Sequence, residues 1–446
     1  MGGGCTMISY PTNVKRREEF MNPHIYNTYV ALLTQELVVA VGCTEPIALA
    51  YAGAKARQVL GVMPTGCTVL CSGNIVKNVK GVTVPNSGGM KGIDVAVTLG
   101  IVGGDADQEL AVLENVTDED ISATRALLSR QFCQCQLIHN VEKLKIVLRV
   151  SAGDSYAEIE VKDYHSNISR IEKNGVILYS QEQAEANPIS GAPDKSLLNV
   201  RDILDFARQL DIADVKEVLQ RQIDYNTAIS REGLEHPYGA EVGRVLQRDF
   251  GGTDSPKLRA KAAAAAGSDA RMSGCPLPVV INSGSGNQGI TATLPVVEYA
   301  KTLNAGQDQL YRALALSNLI SIHQKKYIGS LSAYCGAVSA ACGSGAAICY
   351  MMGGDYDEIC DTITNTLANI GGMVCDGAKP SCAAKIASAV EAAVMAVHLS
   401  RNKKVFQPGE GLVKGNVEDT IASIGRMGRE GMKATDIEIL NIMLED

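Results

Sequence analysis

Around residue 190 the hydrophobic pattern of this chain changes period, and that change limits its possible folds more than any motif does. Upstream, β-branched runs at 68–72, 80–84, 137–140, 144–151, 156–161 and 168–178 read as strands, with helical pieces at about 92–100, 107–114 and 119–130. The segment 187–193 holds two prolines and a glycine. Beyond it apolar residues recur at helical spacing almost to the end: 200–210, 215–230, 258–265, 310–327, 355–370, 383–400 and 417–429. The start is helical as well. Ile25, Tyr29, Leu32, Leu33 and Leu37 share one face of a helix expected over 24–41, with Gly42 as its cap, and a second helix is expected over 46–60.

These patterns predict an α+β fold, mostly helical, with an α/β lobe in the N-terminal half. The expected division is a flexible segment 1–21, helices at 22–62 that pack on the helical domain and make it discontinuous, the α/β lobe at 63–192 and the helical domain at 193–446, with a single cut near 190 as the simpler alternative.

Charge and composition narrow the partners. The chain has 41 Lys+Arg against 49 Asp+Glu, a net charge of -8, and no basic run, which argues against nucleic acid or an anionic membrane and for a small molecule. Thirteen cysteines, an odd count scattered over 446 residues, fit a reducing, cytoplasmic setting better than a disulfide framework. Met1–Thr6 match a myristoylation pattern, but the Gly run there is as easily an upstream extension. Residues 331–352 carry no charge over 22 positions, yet their Ala, Gly, Ser and Cys content would gain little from lipid, so a tightly packed helical region is expected instead.

Three features carry chemistry. Cys335, Cys375 and Cys382 sit in Gly/Ala-rich surroundings and could offer three thiolates to one cofactor, one fewer than a closed site uses. The alternative is that they are small buried hydrophobes. Cys342 and Cys349, 7 and 14 residues after Cys335, read as core. Ser283-Gly284-Ser285-Gly286-Asn287-Gln288-Gly289 follows an apolar run and precedes a helix-like segment. It spells G-x-G-x-x-G, but no second strand ending in an acid follows, which rejects a dinucleotide fold. What remains is a set of backbone amides and a helix start suited to a carboxylate. A similar run at 85–92 could close over a substrate. Finally, Cys43-Thr44-Glu45-Pro46 places a thiol at a helix N-terminus, where its pKa should fall.

Together with Gly42-Cys43-Thr44-Glu45-Pro46 and the glycine run, Leu331-Ser332-Ala333-Tyr334-Cys335-Gly336 and Gly372-Met373-Val374-Cys375-Asp376-Gly377-Ala378-Lys379-Pro380-Ser381-Cys382 resemble the iron-sulfur L-cysteine desulfidase family. That family is related to the α-subunit of iron-sulfur L-serine dehydratases. The resemblance runs from about Met21 to the C-terminus. It implies a 4Fe-4S cluster on Cys335, Cys375 and Cys382 with one iron facing substrate, Cys43 as the base, and the loop from Ser283 to Gly289 at the substrate. Thr44 and Glu45, beside Cys43, are expected at the substrate too. The seven-residue step from Cys375 to Cys382 is similar to the desulfidase rather than the dehydratase.

The implied reaction is α,β-elimination of L-cysteine to pyruvate, ammonia and sulfide without pyridoxal phosphate. L-Serine or another β-substituted amino acid stays open as substrate, and so does a non-catalytic iron-sulfur or thiol redox sensor. A homodimer is the commonest assembly for such a chain. His323, Lys325 and Lys326 could assist at the site or form a solvated basic helix end, and His236 reads as a loop histidine. His24, His139, His165 and His398 show no metal-ligand spacing.

Overall fold

Asn22 accepts a hydrogen bond from the His24 amide and Pro23 fills the first turn, so the first helix is Pro23–Glu36. The computed structural model describes residues 20–139, 141, 143–181, 193–250, 255–329 and 331–445. The Met1–Thr6 motif, most of the expected N-terminal segment, Asn140 at an expected strand end and residues 187–192 lie outside the described residues. The described residues form an α+β fold, mostly helical, with one six-stranded mixed sheet.

The first helix is shorter than its periodicity predicts. Val39–Val41 leave it as a strand, β1, because they pair antiparallel with Pro278–Val280, which we call β8, aligning Val39 with Val280. Tertiary pairing of β-branched residues here overrides a helical pattern. The consequence for the site is direct: β1 runs into Cys43 and β8 runs into the glycine-rich segment, so one two-stranded ladder brings both together.

The sheet comprises Gly66–Ser72 (β2), Cys133–Ile138 (β3), Lys145–Ala152 (β4), Ser155–Lys162 (β5), Ile168–Lys173 (β6) and Val176–Ser180 (β7), in the order β3-β2-β4-β5-β6-β7. Only the β2–β3 pair is parallel. The single run expected over 168–178 is two strands, because Asn174 and Gly175 both adopt positive φ (51° and 82°), the backbone of a two-residue hairpin turn. The run at 80–84 is not a strand. A helix, Gly73–Val79, ends there, and only an isolated bridge joins Thr83 to Lys91.

Two hydrophobic cores result. Pro23–Glu36 gives Tyr29, Leu32 and Leu33 to the helical core. The next helix, Thr44–Leu60, instead gives Ile47, Leu49 and Tyr51 to the core beneath the sheet, packing on Ile93–Gly103. The two helices expected to pack together on the helical region therefore part at Cys43, which lies on the seam.

At the middle of the helical core, Gly336–Met351 packs against Gln307–Ile328, Gly286–Leu303, Tyr356–Ile370 and Cys382–Arg401. This is the uncharged stretch, buried nearly throughout, with Cys342 and Cys349 among the core residues. Cys382–Arg401 is long and apolar enough to cross a membrane, but 56% of its most apolar 18-residue window is buried inside the fold. Val242–Phe250 and Lys433–Leu444 are helices that the sequence pattern does not announce.

Candidate active site

Cys43 is the N-cap of Thr44–Leu60 and is 3% exposed. Its Sγ donates to Glu45 Oε2 at 3.0 Å. Burial pushes the thiol well above its ordinary pKa, the Glu45 carboxylate adds to this, and Arg271 opposes it. This corrects the expectation of a thiol acidified by a helix start: desolvation and a neighbouring anion outweigh the dipole, and Cys43 rests as a neutral thiol.

Glu45 holds the network together. Its Oε2 also accepts from the Thr44 hydroxyl at 3.1 Å, and its Oε1 accepts from Asn78 Nδ2 at 2.9 Å. His165 Nε2 faces Oε1 at 3.7 Å, beyond hydrogen-bond distance. Burial would raise the Glu45 pKa, but His165 and the Cys43 hydrogen bond lower it further, so the carboxylate is ionised. The Thr44 hydroxyl makes a 3.1 Å contact with the Gly284 carbonyl, which ties this helix start to the glycine turn.

That turn is built from Asn282 to Ser285, with reciprocal backbone bonds of 3.1 and 3.0 Å across it. Ser283 and Gly284 take φ of 49° and 78°, so a serine occupies the left-handed region. Ser285 caps the helix Gly286–Leu303, whose first-turn amides have no intrahelical acceptor. Gly286 and Gly289 serve close packing: a Cβ on Gly289 would stand 2.0 Å from the Val280 carbonyl oxygen, and one on Gly286 would stand 2.3 Å from Arg271 Nε.

Across the cavity, an isolated bridge pairs Tyr334 with Val374. Cys335 N–H donates to the Met373 carbonyl at 3.0 Å and Cys375 N–H to the Ala333 carbonyl at 2.7 Å, which sets those two cysteines beside each other. Cys382 opens the helix Cys382–Arg401, and its Sγ accepts from the Lys379 amide at 3.4 Å. Of Gly371, Gly372 and Gly377 in this segment, Gly377 is the one with positive φ, at 94°, and a Cβ there would meet the Lys77 carbonyl oxygen at 2.6 Å.

Burial pushes the Cys335 thiol up to about 12, and the neighbouring Cys375 and Cys382 each add to the rise. Among the described residues no group of three acidic, cysteine or histidine side chains converges closely enough for a single metal ion. A cubane cluster takes its thiolates at separate corners, so it does not require that convergence. Lys325 lies among these cysteines, its pKa pulled down to about 8 by burial against the pull of Cys375 and Cys335. It is not the solvated helix end the sequence allowed. His323 is fully buried and bonded to Glu418 at 2.8 Å, and Lys326 donates to the Leu198 carbonyl.

One cavity of about 650 Å³ collects these parts. Cys43, Thr44 and Glu45, then Ser283, Gly284, Ser285, Asn287 and Gln288, and finally Cys335, Cys375 and Cys382 all border it. Gly286 and Gly289 lie behind it as packing elements. The 85–92 loop is not on its wall; Pro85 instead packs against Gly42.

Sequence reasoning missed three bordering residues. Arg271 is 3% exposed at the end of the helix Pro256–Met272, and its Nε has no partner. It is the one arginine in an otherwise Ala-rich helical stretch from 262, a signal that could have been noticed. Asn78 and His165 come from the sheet side and carry no such signal. Arg271 Nε, Asn287 Oδ1 and Gln288 Oε1 are buried without protein partners, as expected where a polar ligand supplies the missing bonds.

The model of the serine dehydratase alpha chain family matches residues 107–441, well over half of the chain. The chain belongs to that family. Among its relatives, a UPF0597 protein of Lachnoclostridium phytofermentans is 51% identical over 94% of this chain and the whole of the other. One of Desulfitobacterium hafniense is 51% identical over 94% of this chain and 97% of its own, and one of Finegoldia magna is 47% identical over 94% and 99%. The family match includes the glycine turn and Cys335, Cys375 and Cys382, while Cys43 and Glu45 precede it.

Proposed function

We propose that this protein is an iron-sulfur-dependent lyase that eliminates sulfide from L-cysteine, yielding pyruvate and ammonia. The observation that carries the proposal is the convergence on one cavity of a buried thiol, a glycine turn at a helix start and three neighbouring cysteines. Membership of the serine dehydratase alpha chain family supports a lyase of this kind.

Cys335, Cys375 and Cys382 would hold a 4Fe-4S cluster, in a setting made cationic by Lys325, Lys379 and Lys385. When bound, the cluster supplies Lewis acidity through its one iron without a protein thiolate. The remaining steps belong to side chains and amides of this chain. The first-turn amides of Gly286–Leu303, with Arg271 behind Gly286, would hold the substrate carboxylate. Cys43, once deprotonated, would take the Cα proton. Departure of the β-sulfur leaves aminoacrylate, which tautomerises to an imine and hydrolyses to pyruvate and ammonia. The resemblance of the seven-residue step between Cys375 and Cys382 to that of the desulfidase family supports cysteine over serine.

The test is anaerobic purification, reconstitution with iron and sulfide, and measurement of products from L-cysteine beside L-serine. Equal, iron-dependent release of sulfide and pyruvate is the expected result. Pyruvate from serine alone would move the assignment to a dehydratase, and no turnover by an intact holoprotein would leave the redox sensor.

A further inference from the structure

Elimination of cysteine moves two protons: one leaves Cα and one must reach the departing sulfide. Cys43 can take the first only after losing its own, and in the structure that proton points at Glu45, 3.0 Å away. Asn78 at 2.9 Å on Oε1 and Thr44 at 3.1 Å on Oε2 fix the carboxylate against the thiol and favour its ionised form, so it holds a proton only transiently. It also borders the cavity, where the leaving group would be. Glu36 and Asp163 border the cavity as well, but Glu36 pairs with Lys195, and the Cys43 thiol donates to Glu45.

His165 completes the arrangement from the sheet side. It follows β5, faces Glu45 Oε1 at 3.7 Å, and its Cε1 lies 3.5 Å from where a Cβ on Gly284 would stand. Its ring thus fills the gap between the carboxylate and the glycine turn, and its Nε2 has no hydrogen-bond partner.

We propose that Glu45 is the proton carrier of this site, taking the Cys43 proton as substrate is engaged and returning it to the leaving group, with His165 as a positioning residue. The proposal rests on the elimination reading above. The S–H bond of Cys43 breaks as an O–H bond forms on Glu45. The thiolate then takes the Cα proton, the Cα–H electron pair becomes the Cα–Cβ double bond, and the Cβ–S bond breaks with its pair on sulfur. Hydrosulfide takes the proton from Glu45 and leaves as hydrogen sulfide. Cys43 is again a thiol and Glu45 a carboxylate, with no oxidant or reductant consumed.

Two substrates separate this role from a purely structural one. The sulfide of L-cysteine leaves with a proton, whereas the chloride of β-chloro-L-alanine leaves without one. Pyruvate release is measured on reconstituted full-length protein, with the thermal midpoint and cluster absorbance checking that each variant is folded and loaded. Glu45→Gln should lower turnover of L-cysteine by about 10²-fold or more, and the loss with β-chloro-L-alanine should be about tenfold smaller. Cys43→Ser should lose both substrates alike. Glu45→Asp should recover part of the cysteine activity, and His165→Gln should show the same leaving-group bias, reduced in size, through kcat rather than KM.

Equal losses on the two substrates in Glu45→Gln, or cysteine turnover near the wild-type value, would overturn the relay and leave elimination standing. If Glu45→Gln does not fold, the same bias is required of Glu45→Asp, and its absence there overturns the relay. A wild-type holoprotein that releases pyruvate from neither substrate overturns the elimination reading, and the relay with it.

Discussion

On one side of the cavity Cys43, Glu45, Thr44, Asn78 and the Gly284 carbonyl are joined by side-chain hydrogen bonds. On the other, Cys335 and Cys375 are set by backbone bonds on a short bridge, Cys382 by a helix start, and their thiols meet backbone groups, the Ala337 amide at Cys335 and the Lys379 amide and Gly377 carbonyl at Cys382. The first wall is organised before any ligand arrives. The second sets its three thiols on backbone bonds and a helix start, with few side-chain ties between them. The walls should therefore fail differently when damaged.

The largest contrast is between one cysteine from each wall. Cys43→Ser should abolish turnover, by about 10³-fold or more for loss of the base, while reconstituted cluster absorbance stays at the wild-type level. Cys375→Ser should remove both absorbance and turnover. Cluster absorbance lost in Cys43→Ser, or kept in Cys375→Ser, would erase the distinction. Removing the cluster from the wild type with a chelator should lower the thermal midpoint, because a group bound only by the folded state stabilises it.

The next test strikes the scaffold of the cysteine wall. Lys77, 2% exposed along its side chain, pairs with Asp436 of the C-terminal helix and reaches the Cys375 carbonyl at 3.5 Å, while Lys379 donates to the Lys77 carbonyl at 3.1 Å. Lys77→Met would leave the partly buried Asp436 without its cation and with only the Asn74 side-chain amide at 2.9 Å, a loss of roughly 3 kcal/mol. Urea unfolding should record it as a lower midpoint with an unchanged slope. Cluster loading should fall in the same variant, since the segment carrying Cys375 and Cys382 loses its anchor; a loss of stability with normal loading would show that the wall does not depend on this tie.

How much of this was visible in the sequence differs between the walls. The cysteines and the glycine run stood out because their local composition is unusual and their motifs are contiguous. So did the helices of the core, whose burial imposes a period. The ladder of β1 with β8 was not legible, because three residues of strand leave no period and their partner lies far along the chain. Asn78 and His165 were invisible for the same reason, and Arg271 stood out only as a lone arginine in an Ala-rich stretch: each acts from a different element, and only tertiary packing points them at one cavity. The acidified thiol was misjudged because a helix start can be read locally, whereas burial and the Glu45 carboxylate's effect on Cys43 cannot. The 168–178 strand was misread for a different reason. Its Asn174-Gly175 hairpin signal is plain in the sequence and was outweighed by apolar content on both sides.

Gly289→Ala tests the rigidity attributed to the first wall. The new methyl would sit 2.0 Å from the Val280 carbonyl oxygen, a backbone atom that can move only by disturbing β8 and its pairing with β1. We expect destabilisation of about 1–3 kcal/mol. Because the same ladder delivers Cys43, turnover should fall further than stability alone explains, with cluster absorbance unchanged. A stable, fully active Gly289→Ala would mean that the turn is held by something other than this packing.

The smallest effect is expected at Ser283, and its sign is informative. Its φ of 49° costs a non-glycine residue about 1–2 kcal/mol, which Ser283→Gly would relieve. Against this stands the bond from its hydroxyl to Asn282 Oδ1 at 2.8 Å, worth about 1 kcal/mol, and the extra freedom glycine gives the unfolded chain. The net change in stability should lie within about 1 kcal/mol of zero. If the serine is kept in a strained backbone for its hydroxyl at the cavity, KM for the amino acid should rise while stability hardly moves. If KM and stability are both unchanged, Ser283 is a turn residue and the amides of Gly286–Leu303 with Arg271 suffice for the carboxylate.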